Sequence, residues 1–141
     1  MLFGAEHVER YLATDGREGH EWRGAKCLIL TTIGRASGER RLAPLIYGER
    51  GEDYVIVASK GGAPDHPGWY KNLVAEPNVW LQVGANRFAA TARTATGAER
   101  AELWPIMTAQ WPAYDEYQRK TDREIPVVVL ARTPSGADSA A

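Results

Sequence analysis

The sequence is poor in several things that would each have settled its class. A single cysteine, Cys27, excludes an internal disulfide framework. Its apolar neighbours make it a small buried strand residue. The three histidines, His7, His20 and His66, are scattered and lack metal-ligand spacing. Surface or capping roles are expected of them, and no metal. The formal net charge is only −1, so nothing draws the whole chain to nucleic acid, and any anion site has to be local. No apolar run approaches the roughly 20 residues that cross a bilayer. The first residues lack a secretory-leader pattern. A cytoplasmic chain with no integral membrane segment is the expectation, with at most peripheral contact with a membrane. The phosphate-binding glycine patterns of P-loop and dinucleotide folds are missing, and so is a serine nucleophile elbow. Phenylalanine is scarce too: two, against five Trp and six Tyr. Trp and Tyr suit walls on which a flat ligand stacks while a polar tip reaches a partner; a Trp-rich core is the alternative.

What remains is an ordinary globular composition, 44% apolar and 25% charged over 141 residues, enough for one domain with its own core. The whole of 1–141 reads as that domain, with 134–141 a small, polar tail. Helical spacing marks residues 5–13. A polar, glycine-rich loop spans 15–24. Strands are expected at 26–33, 42–47, 53–59, 79–83, 87–94 and 126–131. Gly48 to Gly51 reads as a turn, and Gly84-Ala85-Asn86 as a hairpin turn. Asp65 is placed to cap a helix from about Pro67 to Ala75. Thr96 and Glu99 have capping-box spacing before a helix over 97–110. A short helical segment covers 112–120. Strands joined by short turns favour an antiparallel sheet closed into a barrel, with helices packed outside.

Four constellations carry candidate chemistry. Gly34-Arg35-Ala36-Ser37-Gly38-Glu39-Arg40-Arg41 joins two strands; its glycines allow a tight turn, and its guanidinium groups suit phosphate or carboxylate. A solvated basic hairpin is the competing reading. Ala58-Ser59-Lys60-Gly61-Gly62 ends a strand with a hydroxyl, a cation and two glycines, a second place where backbone can approach an anion. Should the two loops meet, they would make one phosphate pocket. Trp69, Asn72 and Leu73 share a helix side and offer a ring wall with an amide edge, or a core Trp with a polar neighbour. Trp111, Tyr114 and Tyr117 recur every three residues, giving a stacking wall for a planar acceptor or a helix packed on the core. A Tyr hydroxyl there can donate to an oxygen on which charge builds.

LILTTIGRASGERRLAPLIY, VIVASKGGAPDHPGWYKNL and ATGAERAELWPIMTAQWPAYDEYQRKTDREIPVVVL together resemble the deazaflavin-dependent nitroreductase family, in motif order and spacing, from about Glu6 to Ala131. The resemblance implies a split β-barrel of the α+β, mainly β kind, and an oxidoreductase that binds coenzyme F420. Its reduced form would pass a hydride to a planar acceptor: a quinone, an enone or a nitro compound. It also implies an actinobacterial source and a barrel type that often forms homodimers. The cofactor set it implies is Gly34, Arg35, Ser37, Gly38, Arg41, Pro44, Ala58, Ser59, Lys60, Gly61, Trp69 and Asn72. Trp111, Tyr114 and Tyr117 become the acceptor wall, with Tyr114, Tyr117 and Ser59 as candidate catalytic groups. One departure is notable: Trp111 stands where the typical member has tyrosine, which removes a hydroxyl and adds bulk. An FMN-dependent oxidoreductase on the same barrel is the alternative enzyme. A non-catalytic F420 or lipid carrier is the alternative class, and the three-aromatic wall argues against it.

Overall fold

The computed structural model describes residues 4–133; the tail expected at 134–141 lies outside them. The elements run α1 (Gly4–Ala13), β1 (Glu21–Trp22), β2 (Ala25–Ile33), β3 (Arg40–Ile46), β4 (Gly48–Arg50), β5 (Asp53–Val57), a 3₁₀ turn (Lys60–Gly62), α2 (Gly68–Ala75), β6 (Asn78–Val83), β7 (Asn86–Ala95), α3 (Gly97–Gln110), α4 (Tyr114–Arg119) and β8 (Val127–Arg132). Every strand pair is antiparallel. The sheet follows the path β1-β2-β6-β7-β8-β5-β4, with β3 also on β2. Only Tyr47 separates β3 from β4, so one bent run of chain pairs with β2 in its first half and β5 in its second. That shared run draws the two ends of the sheet together, and the sheet curls into a split β-barrel.

The apolar, β-branched strands are continuous rather than alternating because both of their faces are covered. In β8, Val128 and Leu130 face the barrel interior with Leu28, Leu30, Ile56, Leu81 and Phe88. Val127 and Val129 face the other way, against Val55, Val57, Leu103, Met107 and Tyr114. Each such side chain contributes about 1.5–3 kcal/mol on burial. The second core fastens α3 and α4 to the barrel wall, and α4 carries two of the three expected acceptor aromatics.

The structure corrects several expectations. Residues 48–50 form strand β4 and leave the turn to Gly51-Glu52. β3 starts at Arg40 and holds Pro44 opposite Ile29. It has a neighbour on one side only there, where a missing N–H is tolerated. The polar stretch 15–24 contains the short strand β1. Pro67, not Asp65, precedes α2, and the Asp65 carboxylate accepts from Lys71 Nζ at 2.9 Å instead. Thr96 does occupy the N-cap of α3, but its hydroxyl makes no capping bond. Glu99 takes bonds from Arg93 and Arg50 rather than turning back to the cap. Of the histidines, one leaves the surface altogether. His7 is buried with Nε2 2.7 Å from the Gly19 carbonyl. His20 and His66 are half-buried, against Tyr47 Oη at 2.9 Å and Arg123 at 3.0 Å.

Candidate active site

Two adjoining cavities open beside the barrel seam, of about 420 and 450 Å³. Trp69, projecting from α2, lines both and forms their common wall. Together they make one groove with a cationic end and an aromatic end.

The cationic end lies at the β2–β3 turn and holds Gly34, Arg35, Ser37 and Arg41. Arg35 does not wave in solvent. Its Nη1 donates to Asn72 Oδ1 at 2.8 Å, and its backbone N–H reaches the same oxygen at 3.2 Å. The Asn72 amide nitrogen in turn donates to the Thr32 hydroxyl at 3.2 Å. Asn72, buried at 5% exposure, thereby orients the arginine loop, and it also lines this cavity. Ser37 Oγ accepts from the Glu39 N–H at 3.1 Å, which leaves its proton for a ligand. Arg41 is exposed and pairs with Glu39 at 3.4 Å.

The aromatic end holds Pro44, Ser59, Lys60, Gly61, Trp69, Trp111, Tyr114 and Tyr117. Here the chain leaves β5 and turns sharply. Ser59 is right-handed (φ −80°, ψ −39°) and Lys60 left-handed (φ 48°), a sequence that turns backbone N–H groups toward an anion. A left-handed lysine is uncommon, and such strain gathers at functional sites. Gly62 follows at φ 83°, where a Cβ would lie 2.6 Å from the Tyr117 carbonyl. The Lys60 loop and α4 thus touch backbone to backbone, and only glycine permits it. Tyr114 is buried, and burial chiefly raises its hydroxyl pKa, so it stays protonated. Tyr117 Oη accepts from Trp111 Nε1 at 3.3 Å.

Several residues lining the aromatic cavity lay outside the expected set, among them His7, Trp22 and Cys27. The Trp22 ring sits 5.6 Å from that of Trp111 and 6.3 Å from His7. Cys27 is the buried strand residue expected, its thiol pushed up to about 12 by burial and hence unreactive. Arg123 was missed as well. Its guanidinium bridges the carbonyls of Ala63 (2.8 Å), Ala58 (3.2 Å) and Ser59 (2.7 Å) and donates to His66 Nδ1 at 3.0 Å. It clamps the Lys60 loop from behind. Conversely, Ala58 and Gly38 line neither cavity: Ala58 is fully buried, and Gly38 closes the turn with its N–H on the Gly34 carbonyl at 2.8 Å. The two glycine loops line neighbouring parts of this groove, with Trp69 between them.

An antiparallel split barrel with a groove of one cationic and one aromatic end defines the structural class. The model of the F420H2-dependent quinone reductase family matches residues 4–132. An F420H2-dependent quinone reductase of Mycobacterium tuberculosis is 44% identical over 130 residues, 89% of this chain and 87% of that one. A solved F420-H2 dependent reductase superposes with a TM-score of 0.70 at 43% identity, covering 77% of this chain and 94% of the other. A chain solved as a domain-swapped dimer gives 0.72 at 42% identity, covering 89% and 94%. The protein belongs to the F420H2-dependent quinone reductase family, which implies coenzyme F420 as its cofactor.

Proposed function

We propose that this protein reduces a quinone with F420H2, holding the cofactor's anionic tail at the Arg35 end of the groove and its ring beside the Trp111–Tyr114–Tyr117 wall. The observation that carries the reading is the shared Trp69 wall between a cation-and-hydroxyl cavity and an aromatic one. The donor set fits such a cofactor. Arg35, Arg41, Ser37 and Lys60 match phosphate and carboxylate groups, and the αR–αL bend at Ser59-Lys60 adds backbone donors. The combined volume suits a cofactor and a second flat molecule.

When bound, F420H2 supplies two electrons as a hydride. The chain's own residues do the rest. Asn72 fixes Arg35, and Arg123 fixes the loop that presents Lys60 and Ser59. Trp22, Trp69 and Trp111 exclude water and set the acceptor flat. Ser59, Tyr114 and Tyr117 line the same cavity, and their hydroxyls are the donors to the quinone oxygens as negative charge develops. Quinone plus hydride plus one proton gives hydroquinone. No helix of the described residues is long and apolar enough to cross a membrane. We place the protein in the cytoplasm, meeting its acceptor in solution or at a membrane surface, and assign it a homodimer.

The test is a fluorescence titration with F420 beside FMN at one salt concentration, followed by turnover of 1,4-naphthoquinone with F420H2. Binding of F420 but not FMN, with turnover, is the expected result. Binding of F420 without reduction of any quinone, enone or nitro acceptor would overturn it in favour of a carrier.

A further inference from the structure

We propose that Trp111 is a positioning residue: its indole N–H sets the Tyr117 hydroxyl as a donor into the aromatic cavity and makes Tyr117 the hydroxyl that holds the acceptor oxygen. The inference rests on the quinone-reductase reading above and assigns the task that reading leaves spread over three hydroxyls.

Trp111 is held at its backbone and at its ring. Its backbone N–H closes α3 on the Met107 carbonyl at 2.9 Å, and its carbonyl accepts from the Tyr114 N–H at 3.1 Å. Its ring lies 5.6 Å from Trp22. An indole N–H only donates, so in the 3.3 Å contact with Tyr117 Oη the phenol oxygen must accept. The phenol proton is then turned away from Trp111, and Tyr117 lines the cavity beside Ser59. Donation into a hydroxyl strengthens that hydroxyl as a donor in turn. The Tyr117 ring is itself fixed: Tyr114 meets it edge-on at 6.1 Å, Lys120 Nζ stands 5.7 Å over it, and its backbone packs on Gly62. Tyr114 is different. Its hydroxyl has no hydrogen-bond partner among the described residues, so its rotor is unset. A tyrosine at position 111 has a freely turning hydroxyl that donates or accepts; the tryptophan of this chain removes that choice.

A double-mutant cycle of Trp111→Phe and Tyr117→Phe tests this, read two ways. One is kcat for 1,4-naphthoquinone with F420H2. The other is the Kd of the same quinone for the protein loaded with oxidised F420, by calorimetry, where no reduction occurs. W111F is expected to lower kcat/KM for the quinone about fivefold in all, the worth of one net hydrogen bond, shared between weaker quinone binding and a lower kcat, with F420 affinity unchanged. In the Y117F background, W111F should cost nothing more. The same loss in both backgrounds would overturn the proposal and leave Trp111 a plain wall, with the quinone-reductase reading intact. Y117F with undiminished quinone binding and turnover would remove Tyr117 from the acceptor site, and the proposal with it. Failure of the wild-type protein to reduce the quinone at all is instead the failure of the functional reading.

Discussion

The cationic loops of the groove and its ring wall are built in opposite ways. In the loops, direction is supplied by hydrogen bonds: Thr32 holds Asn72, Asn72 holds Arg35, and Arg123 holds three loop carbonyls behind Lys60. In the ring wall, direction comes from ring contacts, Trp22 on Trp111 and Tyr114 on Tyr117, with a side-chain bond between Trp111 and Tyr117. Charged groups lose much of their worth when free to turn, so a tail-binding site gains from being pinned. A flat acceptor needs shape and exclusion of water more than fixed charges. Substitutions in the loops should therefore change cofactor affinity or folding, and those in the ring wall should change turnover.

The largest expected effect comes from the clamp. Arg123→Met should leave the carbonyls of Ala58, Ser59 and Ala63 without their charged donor and lower stability by about 3 kcal/mol, read by urea denaturation. F420 affinity should fall with it, because the Lys60 turn is then unsupported. Unchanged stability would mean the loop holds its shape alone. Next is Lys60→Ala. An exposed cation is partly screened, so a loss of about tenfold in F420 affinity is expected, with kcat at saturating cofactor little altered. A drop in kcat alone would move Lys60 to the acceptor side and blur the division. Tyr117→Phe should show the reverse: turnover down about fivefold and F420 affinity constant in the same titration.

The barrel was legible in the sequence because its strands are apolar and β-branched; β2 and β8 lie within a residue or two of their expected bounds. β4 was not, since Gly-Glu-Arg has neither alternation nor branching and becomes a strand only by pairing with β5. The two caps failed for one reason. A carboxylate three residues from a helix start has cap spacing, but the sequence does not show that Lys71 competes for Asp65, or Arg93 and Arg50 for Glu99. The Trp111–Tyr114–Tyr117 wall was visible through its period. Trp22 was not, lying in a polar loop with no period. Arg123 sits in the charged stretch Thr121 to Glu124 and reads as solvated; its contacts are with residues 57 to 65 positions away.

The smallest expected effect is a pH dependence that separates the clamp from the rest of the fold. Neutral His66 accepts from Arg123 at 3.0 Å. Burial first, and the Arg123 charge second, lower its pKa from the ordinary 6.5, with Lys71 acting the same way and Asp65 opposing. The unfolded chain therefore takes up the proton more readily than the folded one. The contribution of His66 to stability is complete above pH 6.5 and declines as the pH falls from there through the lower folded-state value. Glu99 does not confuse this window. Arg93 and Arg50 hold it down to about 2 from 4.5, so its own contribution is lost only as the pH falls below 4.5. Urea midpoints taken between pH 7.5 and 5 should drift downward for the wild type. In His66→Gln the amide oxygen still accepts from Arg123 but does not titrate, and the drift should flatten. An equal drift in both proteins would place the titrating group elsewhere and leave the Arg123–His66 contact without a part in holding the loop.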